Sequence, residues 1–279
     1  MRVQTRFPGF RLAAAPAART PRETRTLALP APLLRNDIGQ LEKADILVVL
    51  AHPDDETFMA GTLARLKSRG YAIQLAYATS GDAGQDFTQR GLTGNTLART
   101  REQELMSSLF YELRLDRPPV MLRYPDGQTG DHLPAIAHDI EALVRQTQPE
   151  LVLTFGPDGY TGHRDHINVG HMTDQVARRL SHGRIYHTAI PDSANDVFRR
   201  AFDNDPASSW RQVHSVPDSD IRVRVNVRDA LPLKIAAQMR HQTQFKLHEI
   251  ENFRQYNDQH PYEAFTGDTF TRYQWTQSL

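Results

Sequence analysis

Five consecutive apolar residues, Ile46-Leu47-Val48-Val49-Leu50, run directly into Ala51-His52-Pro53-Asp54-Asp55-Glu56. A run of that length and β-branched content reads as a strand buried on both faces, the pattern of a parallel sheet. Thr57 to Lys67 reads as the helix that follows, with Gly70 just past its end as a stop signal. One imidazole and three carboxylates therefore sit in the turn between a strand and a helix. In open α/β sheets that carboxyl end of the strand is where ligands bind. Three acidic groups beside a histidine repel one another unless a cation shares the site. The competing reading is a solvated acidic turn, which is favourable near a helix N-terminus.

Downstream, strands and helices alternate. Ala72 to Thr79 reads as a second strand, Val120 to Tyr124 as a third, Leu151 to Phe155 as a fourth and Ile185 to Ile190 as a fifth. Thr96 to Leu113 is helical, with Leu97, Leu105, Leu109 and Leu113 on one face, and Ile136 to Val144 carries a second helical pattern with Asp131 as its candidate cap. The next helix runs from about His163 to Leu180, and the glycine-rich stretch from Ser80 to Gly94 is loop. This alternation predicts an α/β fold, a Rossmann-like parallel sheet of order 3-2-1-4-5 flanked by helices. Beyond Pro191 the pattern loosens into a C-terminal α/β extension. There Ile221 to Val227 alternates like a half-exposed strand, and Leu231 to Tyr256 reads as one long helical segment. Tyr262, Phe265, Phe270, Tyr273 and Trp275 are expected to form a satellite apolar cluster, with a substrate-pocket wall as the alternative.

A second polar cluster follows the fourth strand: Gly162-His163-Arg164-Asp165-His166. Its two histidines, three apart, project to one side of a helical turn. In a 3-2-1-4-5 sheet, strands 1 and 4 are neighbours at the topological switch point, so the two clusters face each other across the ligand crevice. His52 and Asp55 lie three apart, and His166 closes a set of two nitrogens and one carboxylate with an open position, a catalytic rather than structural zinc pattern. Asp54 is then free to act as general base on a water that the metal activates. His163 is placed either to stabilise the oxyanion or to protonate the leaving amine, with Asp165 as its candidate orienting group.

Composition narrows the field. The chain has no cysteine, so any metal must be held by nitrogen and oxygen. Its formal net charge of zero argues against a generic nucleic-acid binder. No apolar stretch approaches the roughly 20 residues that span a bilayer. Over residues 1–33 six arginines face a single acid, Glu23, with alanine and proline between them. That segment reads as a flexible or surface-wrapping arm over residues 1–40, ahead of a single domain from about Leu41 to Leu279. An Arg-rich, acid-poor start also fits an organelle transit peptide, although its prolines weaken any amphipathic helix. Without such targeting the expected location is cytoplasmic.

The paired motifs, Ala51-His52-Pro53-Asp54-Asp55-Glu56 and Gly162-His163-x-Asp165-His166, resemble those of the PIG-L-like (LmbE-like) zinc deacetylases. The resemblance spans roughly Ala44 to Ile190 and extends toward His241-Gln242-x-Gln244. It implies a Rossmann-like fold and hydrolysis of an N-acetyl group on a sugar amine. It implies Zn2+, with Fe2+ or another divalent ion as alternatives, on His52, Asp55 and His166, with Asp54 as base and His163 as transition-state partner. Arg101-x-x-Glu104 and Pro125-Asp126-Gly127 also match family positions, so Arg101 and Asp126 are candidates for gripping the sugar. The bland reading of that pair is a salt-bridged helix arginine and a turn aspartate. Some members carry a tyrosine two residues before the first histidine of the second motif; here that position is Thr161, with Tyr160 beside it. The implied partner is a small N-acetylated sugar or glycoconjugate. Two other classes remain open: a non-haem iron enzyme using the same two-histidine, one-carboxylate set, and a catalytically dead binding module.

Overall fold

The computed structural model describes residues 29–180, 183–205, 208, 210 and 213–269. A two-residue strand, β1 (Leu33–Leu34), opens the described chain and leads into a 3-10 segment, Arg35–Gln40. The β-α alternation follows as β2 (Ile46–Leu50), α1 (Ala60–Ser68), β3 (Ile73–Thr79), α2 (Gly94–Ser107), β4 (Val120–Tyr124), α3 (Leu133–Thr147), β5 (Leu151–Phe155), α4 (Arg164–Arg179) and β6 (Arg184–Pro191). The extension contributes α5 (Asp192–Ala201), β7 (Ser215–Val216), β8 (Val223–Asn226), α6 (Leu231–Arg240), α7 (Leu247–Gln259) and β9 (Tyr262–Thr269).

The sheet runs β1-β4-β3-β2-β5-β6-β9-β8, with β7 beside β6. Its five central strands are parallel and take the predicted 3-2-1-4-5 order. Both edges differ from the expectation. On one side β1 pairs in parallel with Val120 and Met121 of β4. On the other, β9 runs antiparallel to β6 and to β8. All five residues of β2 are buried, as are all seven of β3 and all five of β5, so both faces are covered by helices. Gly170 lets α4 lie directly on the end of β5, since a Cβ there would meet the Phe155 carbonyl oxygen at 2.5 Å. That close approach seats the N-terminus of α4 over the crevice.

Three boundaries are corrected. Ordered structure begins well before Leu41: Arg35 lies over the Tyr124 ring and pairs with Asp139, while Ile38 is buried in the core. Residues 1–28 of the expected arm lie outside the described residues, as do Phe270, Tyr273 and Trp275 of the expected aromatic cluster; Phe265 is fully buried within the core. The segment from Leu231 to Tyr256 is two helices, not one, broken by a turn at 241–246. No glycine or proline marks the break. It is imposed from outside, by His241 and Thr243 bonding to Glu56 and Glu104. His132, rather than Asp131, takes the N-cap position of α3, which starts earlier than its periodicity suggests. Among the described residues no helix is long and apolar enough to cross a membrane.

Candidate functional site

The carboxyl ends of β2, β3, β4 and β5 converge on a cavity of about 660 Å3. His52, Asp54 and Asp55 reach it from the turn after β2, and His163 and His166 from the start of α4. The turn after β2 shapes itself: the Asp55 Oδ2 accepts the backbone N–H groups of Ala51 (3.1 Å) and His52 (2.7 Å). Its other oxygen, Oδ1, is left facing His166 Nε2 at 3.2 Å.

Each histidine of the set has one nitrogen occupied and one free. His52 Nε2 lies 3.0 Å from Asp126 Oδ1 and 3.2 Å from Asp165 Oδ2. His166 Nδ1 lies 2.9 Å from the Gly159 carbonyl oxygen and 3.2 Å from Thr161 Oγ1. Acceptors at those atoms require the N–H there, which leaves lone pairs on His52 Nδ1 and His166 Nε2. Those two nitrogens stand 3.1 Å apart, and His52 Nδ1 is 3.7 Å from the Asp55 carboxylate. Zinc holds nitrogen and oxygen ligands at about 2.0–2.1 Å in a tetrahedron, which sets them about 3.3 Å from one another. The donor set therefore fits a divalent ion. Phe155 stacks on His166, with ring centroids 4.1 Å apart and planes within 3°, and so fixes the imidazole plane.

The electrostatics carry the same demand for positive charge. Burial alone would lower the His52 pKa, but Asp126, Asp165 and Asp55 together pull it up to about 10. Burial opposes ionisation of Asp55, yet His166 and His52 hold it down at about 2. Asp165 and Asp126 are likewise held below the usual carboxylate range against burial, chiefly by hydrogen bonds from His52. A cluster of ionised carboxylates around buried imidazoles is balanced by a proton or by a metal ion.

Asp54 stands apart from this set. Burial pushes its carboxyl up to about 6, against the pull of Arg101. Its backbone is in a conformation that L-residues rarely adopt, φ 138° and ψ −19°. Its Oδ1 accepts a hydrogen bond from Arg101 at 3.2 Å. Arg101, expected as a grip for the sugar, lines the cavity and donates to three protein oxygens, while its Nε has no protein partner. Asp126 also lines the cavity, and it accepts the Ala83 N–H besides contacting His52.

His163 is the N-cap of α4 and accepts the Asp165 N–H at its Nδ1, 3.2 Å away. Burial lowers its pKa, and His52 and His166 lower it further. With Nδ1 accepting that N–H, the donor side of the ring is Nε2. The expected orienting role of Asp165 is also corrected. Its carboxylate faces His52, accepting as well from Gly127 N (2.7 Å) and Thr129 Oγ1 (2.6 Å). Only its backbone touches His163. Tyr160 is buried and stacks on Phe58 at 4.4 Å, while Thr161 lines the cavity.

Sequence reasoning gave no role to Glu56 as such. Its carboxylate, fully buried, receives Ser108 (2.7 Å), His241 (2.6 Å) and Tyr77 (3.2 Å). The one signal for this was the His241-Gln242-x-Gln244 match. The turn bearing it supplies Gln244, Phe245 and Lys246 to the cavity, and Trp210 joins them.

These features define a class. Residues 47–177 match the PIG-L family, described as GlcNAc-PI de-N-acetylase. A 1D-myo-inositol 2-acetamido-2-deoxy-alpha-D-glucopyranoside deacetylase from Corynebacterium diphtheriae is 31% identical over 247 residues, covering 79% of this chain and 82% of that protein. The chain belongs to the PIG-L family. Among solved structures, N,N'-diacetylchitobiose deacetylase from Pyrococcus horikoshii superposes with a TM-score of 0.61 at 19% identity, over 81% of this chain and 84% of that one. GalB, a 4-carboxy-2-hydroxymuconate hydratase from Pseudomonas putida KT2440, superposes with a TM-score of 0.57 at 18% identity, over 85% and 100%. At such identities the likeness shows the fold alone, and the fold hosts more than one chemistry.

Proposed function

We propose that the chain is a divalent-metal-dependent hydrolase that removes an N-acetyl group from a small amino-sugar-containing molecule. One observation carries the reading. Three atoms of ligand type, His52 Nδ1, His166 Nε2 and Asp55 Oδ1, face one another across 3.1 and 3.2 Å, with a further carboxylate, Asp54, held just outside them by Arg101. The relative from Corynebacterium diphtheriae bears the name of an N-acetyl amino-sugar deacetylase, which supports the same bond and the same substrate class.

When bound by His52, Asp55 and His166, the ion would supply Lewis acidity, lowering the pKa of a coordinated water from about 16 toward 7. Asp54, ionised above about pH 6, takes the proton from the attacking water. His163 donates from Nε2 to the oxygen that gains charge as the amide carbonyl becomes tetrahedral. The proton held by Asp54 then passes to the departing sugar amine. Asp126 and Asp165 keep His52 in the tautomer that leaves Nδ1 free. Asp126 retains lone pairs toward the cavity for a sugar hydroxyl.

The test combines a panel of N-acetylated sugars, read as free amine and acetate released, with metal analysis and removal of oxygen. The expected result is oxygen-independent acetate release that a chelator abolishes. Oxygen-dependent turnover with bound iron would favour the alternative use of the same ligand triad.

A further inference from the structure

Arg101 sits on α2 with its guanidinium buried, although its residue type favours the surface. One nitrogen, Nη2, donates to both the Pro53 carbonyl oxygen (3.0 Å) and Asp54 Oδ1 (3.2 Å). It therefore brackets the peptide that carries Asp54. The other, Nη1, donates to the Gly81 carbonyl oxygen at 3.2 Å. Two glycines make room for it. A Cβ at Gly81 would lie 2.1 Å from Nη1 and 2.4 Å from Cζ, and one at Gly84 would lie 2.8 Å from Nη1. The slot is anchored in turn: Gly81 N donates to Thr79 Oγ1, and Thr79 bonds the Ala51 carbonyl oxygen at the end of β2. At the far end of this chain of contacts Asp54 holds its φ of 138°. Strained residues persist where their surroundings over-determine them.

We infer that Arg101 is a positioning residue for the catalytic base, a clamp that holds the strained Pro53-Asp54 peptide and aims the Asp54 carboxylate. The inference rests on the reading of Asp54 as the base. A planar guanidinium reaches three oxygens at fixed angles, which the point charge of a lysine does not. Gly81 and Gly84 belong to the device, since any side chain at either displaces the fork.

The experiment uses Arg101→Met, Arg101→Lys and Gly84→Ala, with crystal structures of each and steady-state kinetics on the best N-acetylated sugar. Misplacing a reacting group by about 1 Å costs on the order of 100-fold in rate. Arg101→Met is expected to lower kcat by about 100-fold with KM changed by less than about three-fold and metal content intact. Arg101→Lys should recover only a minor part. Gly84→Ala keeps every polar group and still should lower kcat, by about ten-fold, because it displaces Nη1. In the Arg101→Met crystal, Asp54 should leave its positive-φ conformation. An unchanged Asp54 backbone in that crystal, or a KM raised ten-fold with kcat intact, overturns the clamp. If the wild-type protein released no acetate from any sugar, the deacetylase reading would fail by itself, and the crystal structures would still decide whether Arg101 holds the peptide.

Discussion

The turn after β2 and the turn between α6 and α7 line the same cavity but are held by different physics. The first carries a local staple, the Asp55 carboxylate tying Ala51 and His52, four and three residues away, with Arg101 as its one bracket from α2. The second is held by distant partners, through His241 to Glu56, Thr243 to Glu104 and Gln244 to Gln85. Two of the three proposed ligands, His52 and Asp55, sit on the locally stapled turn, and the third, His166, on α4. Gln244, Phe245 and Lys246, which line the rest of the cavity, sit on the turn whose position is borrowed. Substitutions in the two places should therefore have different signatures, loss of chemistry in one and altered stability or affinity in the other.

The largest effect is expected at the ligands. Asp55→Ala removes a proposed ligand and the local staple together, so if the proposed centre is right the variant should lack the roughly one equivalent of metal expected of the wild type, and turnover with it. Metal retained in full by that variant would take Asp55 out of the ligand set. Asp54→Asn is the sharper probe, because it keeps the shape and removes only the proton acceptor. General-base work contributes about 100- to 10,000-fold, so turnover should fall by that range with metal content unchanged. Near-normal turnover would sink the mechanism.

The wild-type pH profile gives an independent check on the same turn. In the proposed mechanism the active form of Asp54 is ionised, and burial raises its pKa to about 6. Activity is therefore full above that value and falls as the pH drops through it, giving an acid limb of kcat/KM near pH 6 that Asp54→Asn should flatten. His163, lowered from its usual value and acting as a neutral donor, should add no basic limb of its own near neutrality. A basic limb removed by His163→Ala would restore the imidazolium role.

The contrast between the two turns also explains what a reader of the sequence can see. His52, Asp55, His163 and His166 are legible because their spacing and their place after apolar strands put them at one crevice, and the central strand order follows from the alternation. Asp165 is misread because its true partners, His52, Gly127 and Thr129, lie on other segments more than 30 positions away. A neighbour in the chain, His163, looked the more natural partner. The α6–α7 break is invisible for the same reason: nothing local ends the helix, and the bonds that bend it reach Glu56 and Glu104. β1 is missed because two leucines behind a run of arginine, alanine and proline carry no periodicity of their own.

On the borrowed side, His241→Ala leaves the Glu56 carboxylate buried with only Ser108 and Tyr77 as partners. Removing one member of a buried pair costs about 3–5 kcal/mol. Opposing its burial, Glu56, Asp54 and Glu104 raise the His241 pKa above its usual 6.5. The stability from that raised value is fully present below pH 6.5 and is lost as the pH rises through the folded-state value. The melting-temperature gap between wild type and His241→Ala should thus be widest in mild acid and narrow toward alkaline pH. A gap constant across that window would mean that the imidazole contributes by packing alone.

The smallest effect is expected at Lys246, and it tests the contrast most directly. Its ammonium lies 4.7 Å from the Phe87 ring centroid and 3.9 Å from the Glu249 carboxylate, with 41% of the side chain exposed. A partly exposed cation–π contact is worth about 0.5–1 kcal/mol, and the loose ion pair adds little in a solvated position. Neither group touches His52, Asp54 or His163. Lys246→Ala should therefore raise KM by about two- to five-fold, the equivalent of that energy at 25 °C, and leave kcat and metal content alone. The Phe87→Ala variant should behave alike, and the double variant should show less than the sum, since each single change already removes the shared contact. A ten-fold fall in kcat from Lys246→Ala would show that the borrowed turn reaches the chemistry, and the division between the two turns would not stand.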